Sequence, residues 1–269
     1  IDDESLSQGQ HYRADPKRYR YLGPIQSWPW RRAAYATVID KLAAAGARAI
    51  AIDILFADPS THGLSDDSKL VNSIQKHKSV VTLAAEYENN VTRAGSVLQL
   101  VTPTPLFSHA RVGFINFSAE LDGKVHFFPS STNTLIPAFG ETVNNQKFKE
   151  ASFLNFYGSA GTFEQVPFAH VLDPSTWNTY LQRGKYFKDK IVLIGATAAS
   201  LQDFHDTPFG LMSGVEIHAN AIATRKSGTE INQLLPSAVT RGVMVFWFGA
   251  IVVFTLTRLK SGLSRFIAL

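Results

Sequence analysis

The amino-acid sequence predicts an α/β fold, in which helices flank a mostly parallel sheet with an antiparallel hairpin insertion, followed by a transmembrane helix. Ala49–Phe56 and Lys190–Thr197 are apolar on both alternating faces, which is typical of strands in a sheet that is covered on both sides. Amphipathic segments alternate with such runs, and this order implies right-handed crossovers in an α/β sheet. A long apolar segment, Pro236–Thr257, follows them near the C-terminus.

The first long helix is predicted to begin near Ser27, which is a suitable N-cap, with Pro29 in its first turn. Its apolar positions recur at helical spacing until Gly46 supplies a stop; they are Tyr35, Val38, Ile39 and Leu42. The strand Ala49–Phe56 follows it.

A second helix is predicted with Asp66 as its N-cap, and Val80–Ala85 as the strand after it. The apolar face of this helix comprises Leu70, Val71 and Ile74. At the start of the chain, Asp2 and Asp3 are expected to end a strand.

The middle of the chain predicts the antiparallel insertion. Val112–Phe117 and Val125–Phe128 are short strand-like runs, and Asp122 and Gly123 between them are a hairpin signal with a longer loop. Leu154–Tyr157 and Lys190–Thr197 are further predicted strands. A later helix is expected after Gly214, with one face formed by Val215, His218, Ala219 and Ile222.

The apolar segment near the C-terminus predicts a membrane span. Gly242–Leu256 contains no ionisable residue, and large apolar side chains stand on all sides of such a helix. A buried core helix is the alternative. Arg241 on one side, and Arg258, Lys260 and Arg265 on the other, favour the membrane. Three segments are therefore predicted: a folded domain at 1–235, a transmembrane helix at 236–257, and a turn with the start of a second span at 258–269, as in part of a longer protein. Because Arg225, Lys226 and Arg241 precede the span, charge counting favours a cytoplasmic C-terminus only weakly.

Composition narrows the classes of function. The chain has 269 residues, 45% of them hydrophobic, enough for a large core. Its 26 basic and 22 acidic residues leave a net charge of +4 without a basic tract, which argues against nucleic-acid binding. The absence of cysteine excludes disulfides and thiolate chemistry.

Polar residues cluster at predicted strand ends, where ligands gather in open α/β sheets. Asp53 is the most conspicuous, because a carboxylate in so apolar a strand costs several kcal/mol unless it is hydrogen-bonded. The candidate ligand-binding residues are Asp2, Asp3, Asp53, Asp203, His205, Thr207, Glu216 and His218.

Three roles for these candidates stay open: capping of loop amides, binding of a divalent metal, and acid–base catalysis. Aspartate and histidine from separate loops can converge on one ion, but the chain has neither an H-E-x-x-H motif nor an EF-hand loop. No catalytic residue and no cofactor is assigned, and a divalent metal is the sole cofactor under consideration. Nucleophile-elbow and phosphate-loop motifs are also absent from the sequence.

Two groups of motifs resemble the CHASE2 domain in order and spacing. The first comprises Ile1–Leu6, Trp28–Arg32 and the run AGARAIAIDILF; the second comprises KIVLIGATAASLQDFHDTPFG and GVEIHANAIAT. The resemblance covers most of residues 1 to 226 and is weaker between Asn89 and Glu150, where Phe128–Glu141 departs from the family's usual sequence.

The resemblance implies an extracellular or periplasmic sensory module, preceded by one membrane helix and usually followed by three. It implies a cytoplasmic C-terminus and an output domain that is an adenylate or guanylate cyclase, a histidine kinase or a serine/threonine kinase. The expected partners are a small-molecule or envelope stimulus, the membrane and a second copy of the chain. Two other classes stay open: a membrane-tethered metal-dependent hydrolase, and a scaffold for an envelope protein.

Overall fold

The structure, a computed structural model, describes residues 1–92, 95–129, 134–148, 152–232, 234–235 and 237–258. It divides into two compact units, Ile1–Glu230 and Ile231–Leu269. The helices are α1 (Asp3–Ser7), α2 (Gly9–Ala14), α3 (Arg32–Ala44), α4 (Leu64–Lys76), α5 (Phe139–Asn144), α6 (Phe168–Leu172), α7 (Pro174–Asn178), α8 (Gly214–Ser227) and α9 (Ala238–Arg258). The strands are β1 (Ala49–Asp53), β2 (Val81–Thr92), β3 (Gly95–Val101), β4 (Arg111–Phe114), β5 (Ser152–Phe153), β6 (Ile191–Gly195), β7 (Phe204–Thr207), β8 (Gly210–Ser213) and β9 (Ile231–Asn232). Short 3₁₀ helices span Arg20–Ile25, Pro105–Phe107, Gln182–Phe187 and Ala199–Leu201.

Four parallel strands form the centre of the first unit in the order β4-β2-β1-β6. The register pairs Ile52 with Leu83 of β2 and with Ile194 of β6. The mostly parallel sheet and its flanking helices confirm the predicted α/β class.

The alternation of β1 assigns a different helix layer to each face of the sheet. Ile50 and Ile52 pack with α3 and α4 in the larger core, whereas Ala49 and Ala51 pack with α5 and α8. The small alanines leave room for α5 and α8 to approach this face closely. Asp53, two residues beyond Ala51, lies on the same face, and its side chain is directed toward the α8 side of the sheet.

The antiparallel insertion is present, but in another place than predicted. The outer half of β2 pairs with β3 from Glu86 opposite Val101 to Thr92 opposite Gly95. The predicted strand at Val112 pairs instead in parallel with β2, because it lies beside the inner half of that strand.

The turn at Asp122 and Gly123 is formed, yet it closes only a single antiparallel bridge, between Ala119 and Val125. The following segment bonds elsewhere: Leu154 N donates to His126 O at 2.8 Å. The predicted hairpin between Val112–Phe117 and Val125–Phe128 is therefore reduced to this turn and its single bridge.

The capping of the first long helix also differs from the prediction. Helix α3 begins at Arg32 rather than near Ser27, and the carboxylate of Asp66 accepts hydrogen bonds from Arg32 N at 2.7 Å and Ala33 N at 3.1 Å. Gly63, not Asp66, occupies the N-cap of α4. Asp66 caps the neighbouring helix because α3 and α4 pack side by side with their first turns adjacent.

Helix α9, in the second unit, has the length and composition of a membrane span. Its 21 residues have a mean hydropathy of 1.9 over the most apolar window, and none of its described side chains is buried. At 1.5 Å per residue it covers about 30 Å, the thickness of a bilayer core. Its exposed apolar surface favours a membrane span over the buried-core alternative. The turn and the start of a second span predicted at 258–269 lie outside the described residues, except for Arg258, which ends α9.

Candidate functional site

Asp53 occupies the carboxyl end of β1 in the interior of the sheet. Only 9% of its surface is exposed, and its carboxylate accepts no hydrogen bond from the described residues. Burial, together with the nearby charges of Asp203 and Glu86, raises the pKa of Asp53 to about 8. Asp53 is therefore protonated and neutral over most of the physiological pH range.

Glu86 is a member of this cluster that the sequence reasoning missed. It follows Ala84 by two residues on β2, so it lies on the same face of the sheet as Asp53. Burial and the charges of Glu88 and Asp203 raise its pKa. The period-2 pattern of Val81–Ala85, extended by one residue, is the sequence signal that could have found it.

Two close approaches bring the first turn of α8 against this cluster. A Cβ added at Gly195 would lie 2.6 Å from the Cβ of Val215 and 3.1 Å from that of Asp53. A Cβ at Gly214 would lie 2.6 Å from Oδ1 of Asp203. Glycine at these two positions therefore allows α8 to begin in contact with the end of β6 and with a carboxylate of the cluster.

Two histidines complete the site around one aromatic ring. His205 Nε2 lies 3.5 Å from Asp203 Oδ1, and the side chains of both residues are partly exposed to solvent. The ring of Phe117, a second residue that sequence reasoning missed, lies 5.6 Å from that of His205 and 4.4 Å from that of His218.

His218 is the buried histidine of the pair. Burial lowers its pKa to about 3, against an opposing effect of the charge of Asp203. Its Nδ1 has no hydrogen-bond partner among the described residues. His218 is thus a neutral ring within the site, whereas the side chain of His205 is partly exposed to solvent.

Four of the predicted residues therefore converge, namely Asp53, Asp203, His205 and His218. The others have structural partners elsewhere. Asp2 is the N-cap of α1, where it accepts from Ser5 N at 2.8 Å, and Asp3 is the first residue of that helix. The expectation that Asp2 and Asp3 end a strand is wrong, because the pairing with β6 stops at Ile1.

Thr207 and Glu216 stabilise loops rather than the cluster. Thr207 Oγ1 donates to Gly210 O at 2.7 Å within the β7–β8 turn. Both carboxylate oxygens of Glu216 accept from Gly161 N, at 2.8 and 3.0 Å. The capping role that the sequence left open thus applies to these residues and to Asp2.

The geometry of this cluster provides few ligands for a divalent cation. In the described parts of the chain, no three or more His, Asp or Glu side chains are grouped so that they could hold a metal ion. The cluster does contain a buried carboxyl group whose pKa is raised, and such a group is suited to proton exchange and hydrogen bonding.

The fold and the site together define an α/β domain with a polar cluster at its strand ends and a candidate membrane helix following in the chain. The family model of the CHASE2 domain matches residues 1–257, so the chain belongs to the CHASE2 domain family. CHASE2 domains are extracytoplasmic sensor domains of signalling receptors. Searches of curated proteins and of solved structures gave no match.

Proposed function

We propose that residues 1–235 are the stimulus-sensing input domain of a bacterial transmembrane receptor, with the cluster around Asp53 as its sensing site. The signal passes through the membrane helices to a cytoplasmic output domain, an adenylate or guanylate cyclase. One observation carries the proposal. Helix α8 begins in contact with the cluster, at Gly214 and Val215, and the chain continues from α8 through residues 228–237 into α9.

The cluster gives a stimulus a physical means of moving α8. Ionisation of Asp53 places a charge beside those of Asp203 and Glu86 in a buried position, which disfavours the packing that surrounds it. A stimulus shifts a two-state equilibrium only by the difference between its affinities for the two states. A tenfold change in the equilibrium constant between the two states requires a difference of about 1.4 kcal/mol, which is less than the cost of burying an unpaired charge.

The direction of the membrane helix and the assembly state belong to the same proposal. The cytoplasmic C-terminus rests on membership of the CHASE2 family, because the cations after the span, Arg258, Lys260 and Arg265, are nearly balanced by Arg225, Lys226 and Arg241 before it. Because cyclase catalytic sites form between two chains, a homodimer is the proposed unit of signalling.

The test measures output from the full-length receptor in membranes. We expect Asp53→Asn and Asp203→Asn to change basal cyclic-nucleotide production or its response to pH, because Asp53→Asn removes the buried group that can ionise and Asp203→Asn removes a carboxylate beside it. Asp206→Asn is the matched control, since Asp206 is exposed and lies three residues after Asp203 in the sequence. Unchanged regulation in both cluster variants, with normal expression and folding, would contradict the proposed sensing site.

A further inference from the structure

A pocket of about 280 Å³ lies at the amino ends of the parallel strands. It is lined by Ala49, the first residue of β1, and by Ile191, the first residue of β6. The last turns of α5 and α8 border it with Asn144 and Lys226. Since Asp53 is the last residue of β1, this pocket and the Asp53 cluster are at opposite ends of the same strand.

Three cations line this pocket, and no carboxylate is among the described residues that do so. Arg48 comes directly before β1, Arg111 begins β4, and Lys226 lies in the last turn of α8. The side-chain amides of Asn144 and Gln146 add further hydrogen-bond donors. The pocket therefore presents positive charge and donors that come from separate parts of the chain.

The guanidinium of Arg111 is held in place by two backbone carbonyls. Its Nη1 donates to Ser79 O at 3.2 Å, and its Nη2 donates to Thr142 O. A guanidinium has more N–H donors than these two bonds use, so donors remain for a ligand. Because Arg111 is already positioned, it loses little conformational freedom when it binds one.

Arg48 and Lys226 are not held in this way. Both are exposed, and their side chains make no hydrogen bond and no ion pair with the described part of the chain. Cations around one small pocket repel each other, and no described lining residue offsets this repulsion. A bound anion offsets it, which supplies a favourable free energy of binding.

We propose that this pocket binds a phosphate group. Such a group carries up to about two negative charges and several acceptor oxygens, which match three cations that approach from different elements. Arginine forms paired hydrogen bonds to phosphate oxygens. Pockets for drug-sized ligands have volumes of about 300–1,000 Å³, so this smaller pocket is suited to a compact ion or headgroup. A free phosphate ion and the headgroup of an anionic lipid present the same chemistry.

The location of the pocket couples it to the Asp53 cluster through α8. Lys226 is near the end of the helix whose first residue, Gly214, contacts Asp203 of the cluster. At about 1.5 Å per residue, the 14 residues of α8 span about 21 Å between the two sites. A phosphate group that binds better to one position of α8 shifts the helix toward that position, and the effect between the sites is reciprocal.

Thermal unfolding of the chain 1–269 in a neutral detergent tests the proposal, because a ligand of the folded state raises the unfolding temperature. Inorganic phosphate is one probe, with chloride at the same ionic strength as its reference. Phosphatidylglycerol in the micelles is the other, with zwitterionic phosphatidylcholine as its reference. We expect a saturable rise with at least one of the two anionic probes. Arg48→Gln and Lys226→Gln should each weaken the apparent affinity about tenfold.

Lys76→Gln is the matched control, because Lys76 is exposed in the last turn of α4, as Lys226 is in α8, but does not line the pocket. Its apparent affinity should equal that of the wild type. Arg111 is not substituted, because its bonds to backbone carbonyls stabilise the fold.

The two probes separate the two sources of the phosphate group. Saturation by inorganic phosphate supports a free ion, and saturation by phosphatidylglycerol alone supports a lipid headgroup. An equal rise with the reference compounds, no saturation with either probe, or an affinity that Arg48→Gln and Lys226→Gln leave unchanged would overturn the proposal. None of these measurements depends on output activity, so failure of the proposed sensing role is distinguishable from failure of this one.

Discussion

Replacing Asp53 by asparagine should change how the stability of the domain depends on pH. The folded state holds the pKa of Asp53 at about 8, whereas the ordinary value is 3.8. Between these values the folded state retains a proton that the unfolded state has lost, so stability falls as pH rises, by about 1.4 kcal/mol per pH unit. From pH 4 to pH 7 this amounts to about 4 kcal/mol.

Asparagine has nearly the same shape but no charge to gain, so Asp53→Asn removes this pH-dependent loss. Any cost of the unpaired amide is the same at every pH and cancels when the variant is compared with the wild type at two pH values. The free energy of unfolding of Asp53→Asn, relative to wild type, should thus rise by about 4 kcal/mol from pH 4 to pH 7.

Urea unfolding of the chain in detergent, followed by tryptophan fluorescence at pH 4 and pH 7, measures this difference. Asp206→Asn is the control, because it makes the same substitution at a side chain that is exposed to solvent. A relative stability of Asp53→Asn that is the same at both pH values would refute the argument that Asp53 is protonated in the folded state.

Three further predictions concern the surroundings of this site. Because burial lowers the pKa of His218 to about 3, the domain loses stability as pH falls from about 6.5 toward 3. His218→Phe, whose ring would lie beside Phe117 and Phe139, should reduce this loss in urea unfolding. An unchanged acid sensitivity would argue against a buried neutral His218. Gly195→Ala should cost about 1–3 kcal/mol in thermal unfolding, because its Cβ would lie 2.6 Å from the Cβ of Val215. Since Val215→Gly removes that atom, Gly195→Ala should cost less in a Val215→Gly background than in the wild type, and an equal cost in the two backgrounds would place the strain elsewhere. Asp66→Ala should lower the free energy of unfolding by about 1–2 kcal/mol, because it leaves the first amides of α3 uncapped. Asp58→Ala, at an exposed position, should have little effect. Equal stability of the two variants would contradict the capping role.

Local sequence patterns account well for the elements that surround the site. The apolar spacing from Tyr35 to Leu42 predicted the helix that the structure forms as α3, and the two-sided apolar runs predicted β1 and β6. These predictions succeed because a helix or strand repeats within a few residues, so its pattern is visible along the chain. The unusual carboxylate in AIAIDILF likewise indicated the centre of the cluster before any contact was known.

Contacts between distant segments required the tertiary structure. Asp66 caps α3 from another helix, and Glu86 and Phe117 join Asp53 only because sheet register and a loop bring them to the same place. The sequence at Asp122 and Gly123 contains a hairpin turn signal, but the strand before it, β4, pairs with β2 instead.

The sequence by itself thus determined the α/β class, the membrane-length helix, the CHASE2 resemblance and the place of Asp53 in an apolar strand, all of which depend on short-range patterns or ordered motifs. Only the tertiary structure decided which polar residues meet and which strand pairs with β4. Those outcomes depend on register, strand order and helix packing between residues far apart in the chain, which no local pattern specifies.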